Sequence, residues 1–309
     1  MADRITVFEV GVRDGLQNEP SHPSTATKIG FIQDLVASGV REFELGAFVR
    51  PDRVPQMADT EALYRAIAAK RLKLGKAHAW SLVPNLRGLE RAIAVGATRI
   101  AVFTAASEGF ARNNIGMTVA QSLKEYGKVV DQARAAGLRV RGYVSTAFGC
   151  PFDGKVAPSR ALRVIERLAE LGVEQVSIGD TIGVATPAGV DAVIRPALRL
   201  LGAKRVAGHF HDTRGTALAN SLRAIEHGVR TLDASAGGLG GCPFAPGATG
   251  NLATEDLVYM LDGMGMKSGI DLDRLSQASL RMARKLKRPL ASRYLQAYAS
   301  SKPGKPGKA

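Results

Sequence analysis

Two histidines one residue apart, His209 and His211, lie in the run Gly208-His-Phe-His-Asp212. On an extended strand both imidazoles face one side and Phe210 faces the other. An isolated His-x-His is as often a hydrogen-bonded core histidine beside an exposed one, so the chemistry depends on what else converges there. Asp14 and Asn251 offer oxygen donors from other parts of the chain. Two nitrogens and two oxygens without a thiolate suit Mg²⁺, Mn²⁺ or a related octahedral ion with positions open for substrate, rather than a closed structural zinc site. Arg13 adjoins Asp14; neighbours of this kind usually form a structural ion pair, but beside a metal-binding Asp14 the guanidinium becomes a fixed cation able to stabilise an oxyanion. Glu44 sits in Phe43-Glu-Leu-Gly-Ala-Phe48, among apolar neighbours that argue for a carboxylate held inside the fold. Cys242 lies in the glycine-rich stretch from Gly237 to Asn251. A lone cysteine is more often a packing residue, yet a thiol in a mobile loop can deliver a proton once the loop closes. Cys150, in Phe148-Gly-Cys-Pro-Phe152, reads as packing. The same glycines could cradle a phosphate, but they lack the Lys-Ser/Thr of a phosphate loop.

Short β-branched runs alternate with longer stretches of helical period, and these are the elements that must position the candidates. The strands expected are 5–10, 42–47, 74–82, 99–103, 139–144, 176–178, 205–211 and 231–234, followed by amphipathic stretches such as 26–38, 86–95, 119–136 and 158–171. Gly39, Gly96, Gly137, Gly172 and Gly228 stand where left-handed caps would end helices. Eight strand–helix units require parallel pairing through helical crossovers, the arithmetic of an α/β (β/α)₈ TIM barrel. A doubly wound sheet is disfavoured, because Gly-Val-Arg-Asp-Gly15 puts charges where a dinucleotide fold needs bare backbone. In the barrel, strands one and eight adjoin at the closure and strand seven lies beside eight, which brings Asp14 and Asn251 to the histidines. The expected organisation is a catalytic barrel over 1–270, a short additional C-terminal helical region of the same domain over 271–299, densest in basic residues at 271–290, and a disordered basic tail over 300–309.

Of the 309 residues, 45% are hydrophobic and only two are cysteines, which excludes a disulfide scaffold and general disorder. No run reaches the length of a membrane span and no leader pattern opens the chain, so the expectation is a soluble, cytoplasmic protein without a membrane partner. The formal charge of +14 allows nucleic acid or a polyanionic small ligand. Aromatics at 6%, with no interleaved basic run, no helix-turn-helix and no zinc spacing, argue against nucleic acid.

Several segments together resemble the 3-hydroxy-3-methylglutaryl-CoA lyase family of metal-dependent TIM-barrel lyases. They are Glu9-Val-Gly-Val-Arg-Asp-Gly-Leu-Gln-Asn-Glu19, Val54-Pro-Gln-Met-Ala-Asp59, Arg141-Gly-Tyr-Val-Ser145, Ile178-Gly-Asp-Thr-Ile-Gly183, His209-Phe-His-Asp212 with Ala217-Leu-Ala-Asn220, and Gly238-Leu-Gly-Gly-Cys-Pro243 leading to Gly250-Asn-Leu-Ala-Thr-Glu-Asp256. The resemblance spans nearly the whole barrel, and its cysteine loop is the most specific part. It implies that Asp14, His209, His211 and Asn251 bind a divalent cation; that Arg13, Asp14, Glu44, His209 and Cys242 are catalytic; and that Arg13, Gln17 and Asp180 contact substrate.

The implied reaction is cleavage of 3-hydroxy-3-methylglutaryl-CoA to acetyl-CoA and acetoacetate, with Asp14 or His209 as base, Arg13 on the enolate oxyanion and Cys242 as proton donor. A homodimer and a setting in leucine degradation and ketone-body formation come with it. The chain departs from the family at Val12, Pro20, Leu45-Gly-Ala47, Arg50-Pro-Asp-Arg53, Arg214 and Pro246. Those departures keep open a related thioester such as citramalyl-CoA, or the condensing chemistry of Claisen-type synthases, although little chain follows the barrel for a regulatory domain. Part of the positive charge, including Arg50 and Arg53, is expected to attract coenzyme A phosphates, while Lys302, Lys305 and Lys308 belong to the tail.

Overall fold

The computed structural model describes residues 3–241 and 250–301. Its eight long strands are β1 (Thr6–Glu9), β2 (Glu42–Ala47), β3 (His78–Leu82), β4 (Arg99–Ala105), β5 (Arg139–Ser145), β6 (Gln175–Asp180), β7 (Val206–Phe210) and β8 (Thr231–Ala234). They close into a parallel barrel in the order β1, β8, β7, β6, β5, β4, β3, β2, the expected α/β TIM barrel. Thr6 pairs with Thr231 and Glu9 with Ala234 at the closure, while Asp233 of β8 pairs with His209 of β7.

Local chemistry explains where the elements begin and end. The third strand is shorter than the expected 74–82, because Gly75 adopts φ +55° and turns the chain before His78. The seventh strand ends at Phe210 rather than His211, and His211 instead forms an antiparallel bridge with Asn251. Around it are α1 (Thr25–Ala37), α2 (Thr60–Ala68), α3 (Leu86–Ala94), α4 (Glu108–Ile115), α5 (Val119–Ala135), α6 (Pro158–Glu170), α7 (Pro187–Leu201), α8 (Ala217–His227) and α9 (Thr254–Gly263). Thr118 caps α5 by accepting from the Gln121 amide at 3.1 Å, and the Gln121 side chain accepts from the Thr118 amide at 2.8 Å. The five anticipated cap glycines all have positive φ, from +78° at Gly137 to +110° at Gly228. At Gly39 no side chain would fit either, since a Cβ would stand 2.2 Å from the Gly269 carbonyl oxygen.

The C-terminal region forms two helices, α10 (Leu272–Leu286) and α11 (Arg293–Ser301), separated by Lys287 at φ +55° and by Pro289. The second helix runs through Ser300 and Ser301, where the tail had been expected to start, because Leu295 is buried and Asp256 accepts from the Arg293 and Tyr294 amides. Lys302, Lys305 and Lys308 lie outside the described residues. The apolar side chains form one main cluster, with Phe210 and Phe148 packed together at 6.0 Å between ring centroids. A second, small cluster of Phe8, Val10 and Trp80 stands apart from it.

Candidate active site

After β1 the chain makes a wide helical turn, Gly11–Gly15, closed by the Gly15 amide donating to the Val10 carbonyl at 3.1 Å. Glu9 fixes this turn from below. Its buried carboxyl accepts from the Gly11 amide at 2.7 Å, the Ala236 amide at 2.9 Å and the Thr254 hydroxyl at 2.6 Å. The turn thereby presents Arg13 and Asp14 over the end of the barrel. On the opposite side, the segment from Gly250 returns against the end of β7: the Asp212 amide donates to the Gly250 carbonyl at 2.9 Å and the Leu252 amide to the Phe210 carbonyl at 3.1 Å. That pairing sets Asn251 beside His211.

Donor atoms of Asp14, His209 and His211 all lie within 4.8 Å of one another, a group able to hold a metal ion. The two histidine Nε2 atoms face each other at 3.1 Å, so the expected shared face of the His-x-His is present. Asn251 donates its amide to Asp14 Oδ2 at 2.9 Å and to the Leu239 carbonyl at 3.2 Å, leaving Asn251 Oδ1 buried without a partner among the described residues. His211 Nδ1 and Glu44 Oε1 are likewise buried and unpartnered. An orphaned carboxamide oxygen beside a carboxylate and two imidazoles is costly as a simple core arrangement. It fits the donor set of a divalent cation.

Arg13 bridges two acids. Its Nε donates to Glu44 Oε2 at 2.6 Å and its Nη1 to Asp14 Oδ1 at 2.7 Å. Burial works against the Arg13 charge, but Glu44 and then Asp14 outweigh it and the guanidinium stays cationic. Burial also opposes the Asp14 charge; Arg13, His209 and His211 overcome it and hold that carboxyl down at about 2. In His211, burial and then the neighbouring His209 push the pKa to about 4, so this imidazole is neutral and free to coordinate. His209 moves the other way: burial opposes its charge, but the hydrogen bond and charge of Asp233 raise it. Burial raises Glu44 against the pull of Arg13.

A cavity of about 150 Å³ opens over these groups, with Arg13, Asp14, Gln17, Tyr143, His209 and His211 in its wall. Gly241 lines it too, and its carbonyl accepts from Asn18 Nδ2 at 3.0 Å. Cys242 lies outside the described residues, one position beyond that wall. Asp180 is not part of the lining: its buried carboxylate accepts from the Val184 and Ala185 amides at 2.9 and 3.0 Å and so anchors the loop after β6. Arg50 is exposed and engaged by Asp52, and Arg53 is exposed on the same loop; neither lines the cavity. Cys150 is buried, as a packing residue would be.

Sequence reasoning missed two fully buried charges below the cavity, Arg141 and Asp233, which pair at 2.6 Å. The signal was available in both cases: a lone carboxylate in the strand Thr-Leu-Asp-Ala234, and an arginine inside the apolar run Val140-Arg-Gly-Tyr-Val144. Glu255 was also missed; it accepts from the Gly237 amide at 2.7 Å and from the Ser279 hydroxyl, fastening α10 to the start of the glycine-rich segment.

Residues 4–281 match the HMGL-like family. The chain is 46% identical over 282 residues to the hydroxymethylglutaryl-CoA lyase of Pseudomonas mevalonii, covering 91% of this chain and 92% of that one. Among solved structures it resembles a hydroxymethylglutaryl-CoA lyase from Pseudomonas aeruginosa, with TM-score 0.93, 40% identity, and 97% and 99% of the two chains covered. It also resembles an HMG-CoA lyase from Acinetobacter baumannii in complex with coenzyme A and 3-methylmalate, with TM-score 0.91, 37% identity, and coverage of 98% and 97%.

Proposed function

The chain belongs to the HMGL-like family of carbon–carbon lyases, and we propose that it cleaves 3-hydroxy-3-methylglutaryl-CoA to acetyl-CoA and acetoacetate. The observation that carries this reading is the convergence of Asp14, His209 and His211, with Asn251 beside them, at the mouth of the barrel under the fixed cation Arg13. Asp14, His209, His211 and the orphaned Asn251 oxygen would hold a divalent cation, Mg²⁺ or Mn²⁺, with two imidazoles favouring Mn²⁺. Bound there, the ion would polarise the tertiary hydroxyl of the substrate and lower its pKa.

The protein supplies the rest. On this reading the cavity, with Gln17 in its wall, would take the acyl end of the thioester. Asp14 or His209 is the base: both Asp14 oxygens retain spare lone pairs but that carboxyl is held down at about 2, whereas His209 is raised but faces Asp233 through Nδ1 and would spend its other lone pair on coordination. Arg13 stabilises the enolate oxygen left when the carbon–carbon bond breaks, its position fixed by Glu44. Cys242 follows directly on the cavity-lining Gly241 and protonates the enolate carbon. A homodimer, a cytoplasmic location and a setting in leucine degradation and ketone-body formation accompany this reading. Among the described residues no helix is long and apolar enough to cross a membrane.

The substituted end of β2 favours a second substrate. Leu45, Gly46 and Ala47 lie directly beyond Glu44, where a Cβ on Gly46 would stand 2.4 Å from the Thr60 hydroxyl of α2; none of the three lines the cavity, so the substitution would act through the position of Glu44 and the loop that follows. A related branched 3-hydroxyacyl-CoA such as citramalyl-CoA is the corresponding alternative. Purified enzyme assayed on a panel of 3-hydroxyacyl-CoA thioesters, with and without chelator, should turn over 3-hydroxy-3-methylglutaryl-CoA best. Activity should vanish with the chelator and return with Mn²⁺ or Mg²⁺. Preference for citramalyl-CoA would transfer the assignment to that substrate, and full activity in chelator would remove the metal from the reaction.

A further inference from the structure

We propose that Asp233, clamped by Arg141, is a positioning residue that fixes His209 in the tautomer able to bind the cation. The proposal rests on the reading of His209 as a metal ligand and deepens it.

Asp233 Oδ2 lies 3.2 Å from His209 Nδ1, accepts from the Ser177 hydroxyl at 2.8 Å and from Arg141 Nη1 at 3.2 Å. Its other oxygen accepts from Arg141 Nη2 at 2.6 Å. A carboxylate held bidentately by a guanidinium offers only lone pairs. The proton between it and His209 must therefore sit on Nδ1, and the Nε2 lone pair is left pointing toward His211 Nε2 at 3.1 Å. A histidine side chain in water prefers the opposite tautomer, with the proton on Nε2, where it would block coordination.

Arg141 is itself locked in place. Its guanidinium lies 3.9 Å from the Phe8 ring centroid and 4.8 Å from that of Tyr143, and its Nη1 and Nε donate to the Tyr143 hydroxyl at 2.7 Å and to Gln175 at 3.1 Å. It is 1% exposed and Asp233 is 2% exposed, so neither can swing away to water. Asp233 lies beside His209 in the β-ladder, which makes the distance between them a property of the barrel rather than of a loop.

In Asp233→Asn, the 2.6 Å contact with Arg141 Nη2 requires the amide oxygen on that side. The amide NH₂ then faces His209 Nδ1, and the proton moves to Nε2. A purely structural role for the ion pair would lower the unfolding temperature and leave both the tautomer and the metal affinity alone.

The test uses protein with ¹⁵N-labelled histidines, stripped of metal and held at a pH high enough that His209 is neutral; only five histidines are present. In the parental protein, His209 should be protonated on Nδ1. In Asp233→Asn it should be protonated on Nε2, with Mn²⁺ binding weakened roughly 10- to 100-fold. His209 protonated on Nε2 in the parental protein, or Mn²⁺ affinity unchanged in the variant, would overturn the proposal. If the variant does not fold, the parental spectrum alone decides it. If the parental protein binds no Mn²⁺, the metal reading fails, and the tautomer still reports on Asp233.

Discussion

Arg13 touches both Glu44 and Asp14 with one guanidinium, and that double contact determines what its removal would do. If Arg13 stabilises the enolate oxyanion as proposed, Arg13→Met should lower kcat by about 10²- to 10³-fold. Glu44, fully buried, would also lose its partner, so the unfolding temperature should drop as well. Steady-state kinetics beside a thermal melt separate the two; a large change in KM with kcat preserved would place Arg13 in binding rather than in chemistry. At this scale the sequence was partly legible. The alternation His-Phe-His predicts a shared face, and Arg13, Asp14 and Asn251 stand at strand ends. For Asp180, expected to contact substrate, the fold adds two loop amides that its carboxylate accepts from and places its neighbours Gly179 and Thr181 in the cavity wall.

At the scale of elements, two buried carboxylates tie the turn after β1 and the start of the glycine-rich segment to the barrel and the C-terminal helices. Burial raises Glu9 to about 7, against hydrogen bonds from Thr254, Ala236 and Gly11 that lower it, and raises Glu255 to about 8, against Ser279 and Gly237. A carboxyl whose folded pKa lies above its unfolded value stabilises fully below the unfolded value, and that contribution is lost as pH rises through the folded one. Above about pH 6.5, where Asp14 and His211 no longer contribute, the unfolding temperature should therefore still decline to about pH 8.5, with the raised His209 adding a decline of the same sign. Glu255→Gln should flatten the decline. A melting profile that rises over this window would contradict the assignment of these two acids as protonated anchors. The element boundaries themselves were readable wherever one local signal dominated, as at the cap glycines. They were misread where a turn interrupted an apolar run, as at Gly75.

For the whole molecule, α10 and α11 are braces rather than appendages. They bury Leu275, Met282, Leu286 and Leu295, with Leu290 between them. Ser279 meets Glu255, Arg288 meets Glu19, and the Ser292 hydroxyl donates to Asp256 at 2.6 Å. At roughly 2 kcal/mol for each large apolar side chain, the five account for about 10 kcal/mol, comparable to the ~5–15 kcal/mol net stability of a domain. A chain ending at residue 270 should fail to give a cooperative melt; a cooperative transition near the parental temperature would show that the barrel is stable without them.

The sequence by itself determined the order of strands and helices, the barrel they imply and the residue types available for chemistry, because period, capping and glycine placement act over a few residues. Tertiary structure alone decided which atoms meet. Barrel closure implied that Asp14 and Asn251, 237 positions apart, converge; only the structure shows the Asn251 amide spent on Asp14 and its oxygen left over. Arg141 and Asp233, 92 apart, form a pair whose meaning lies in the histidine above it. Contacts of that length are fixed by barrel closure and by the cost of leaving buried charge unpaired, and no local pattern carries them.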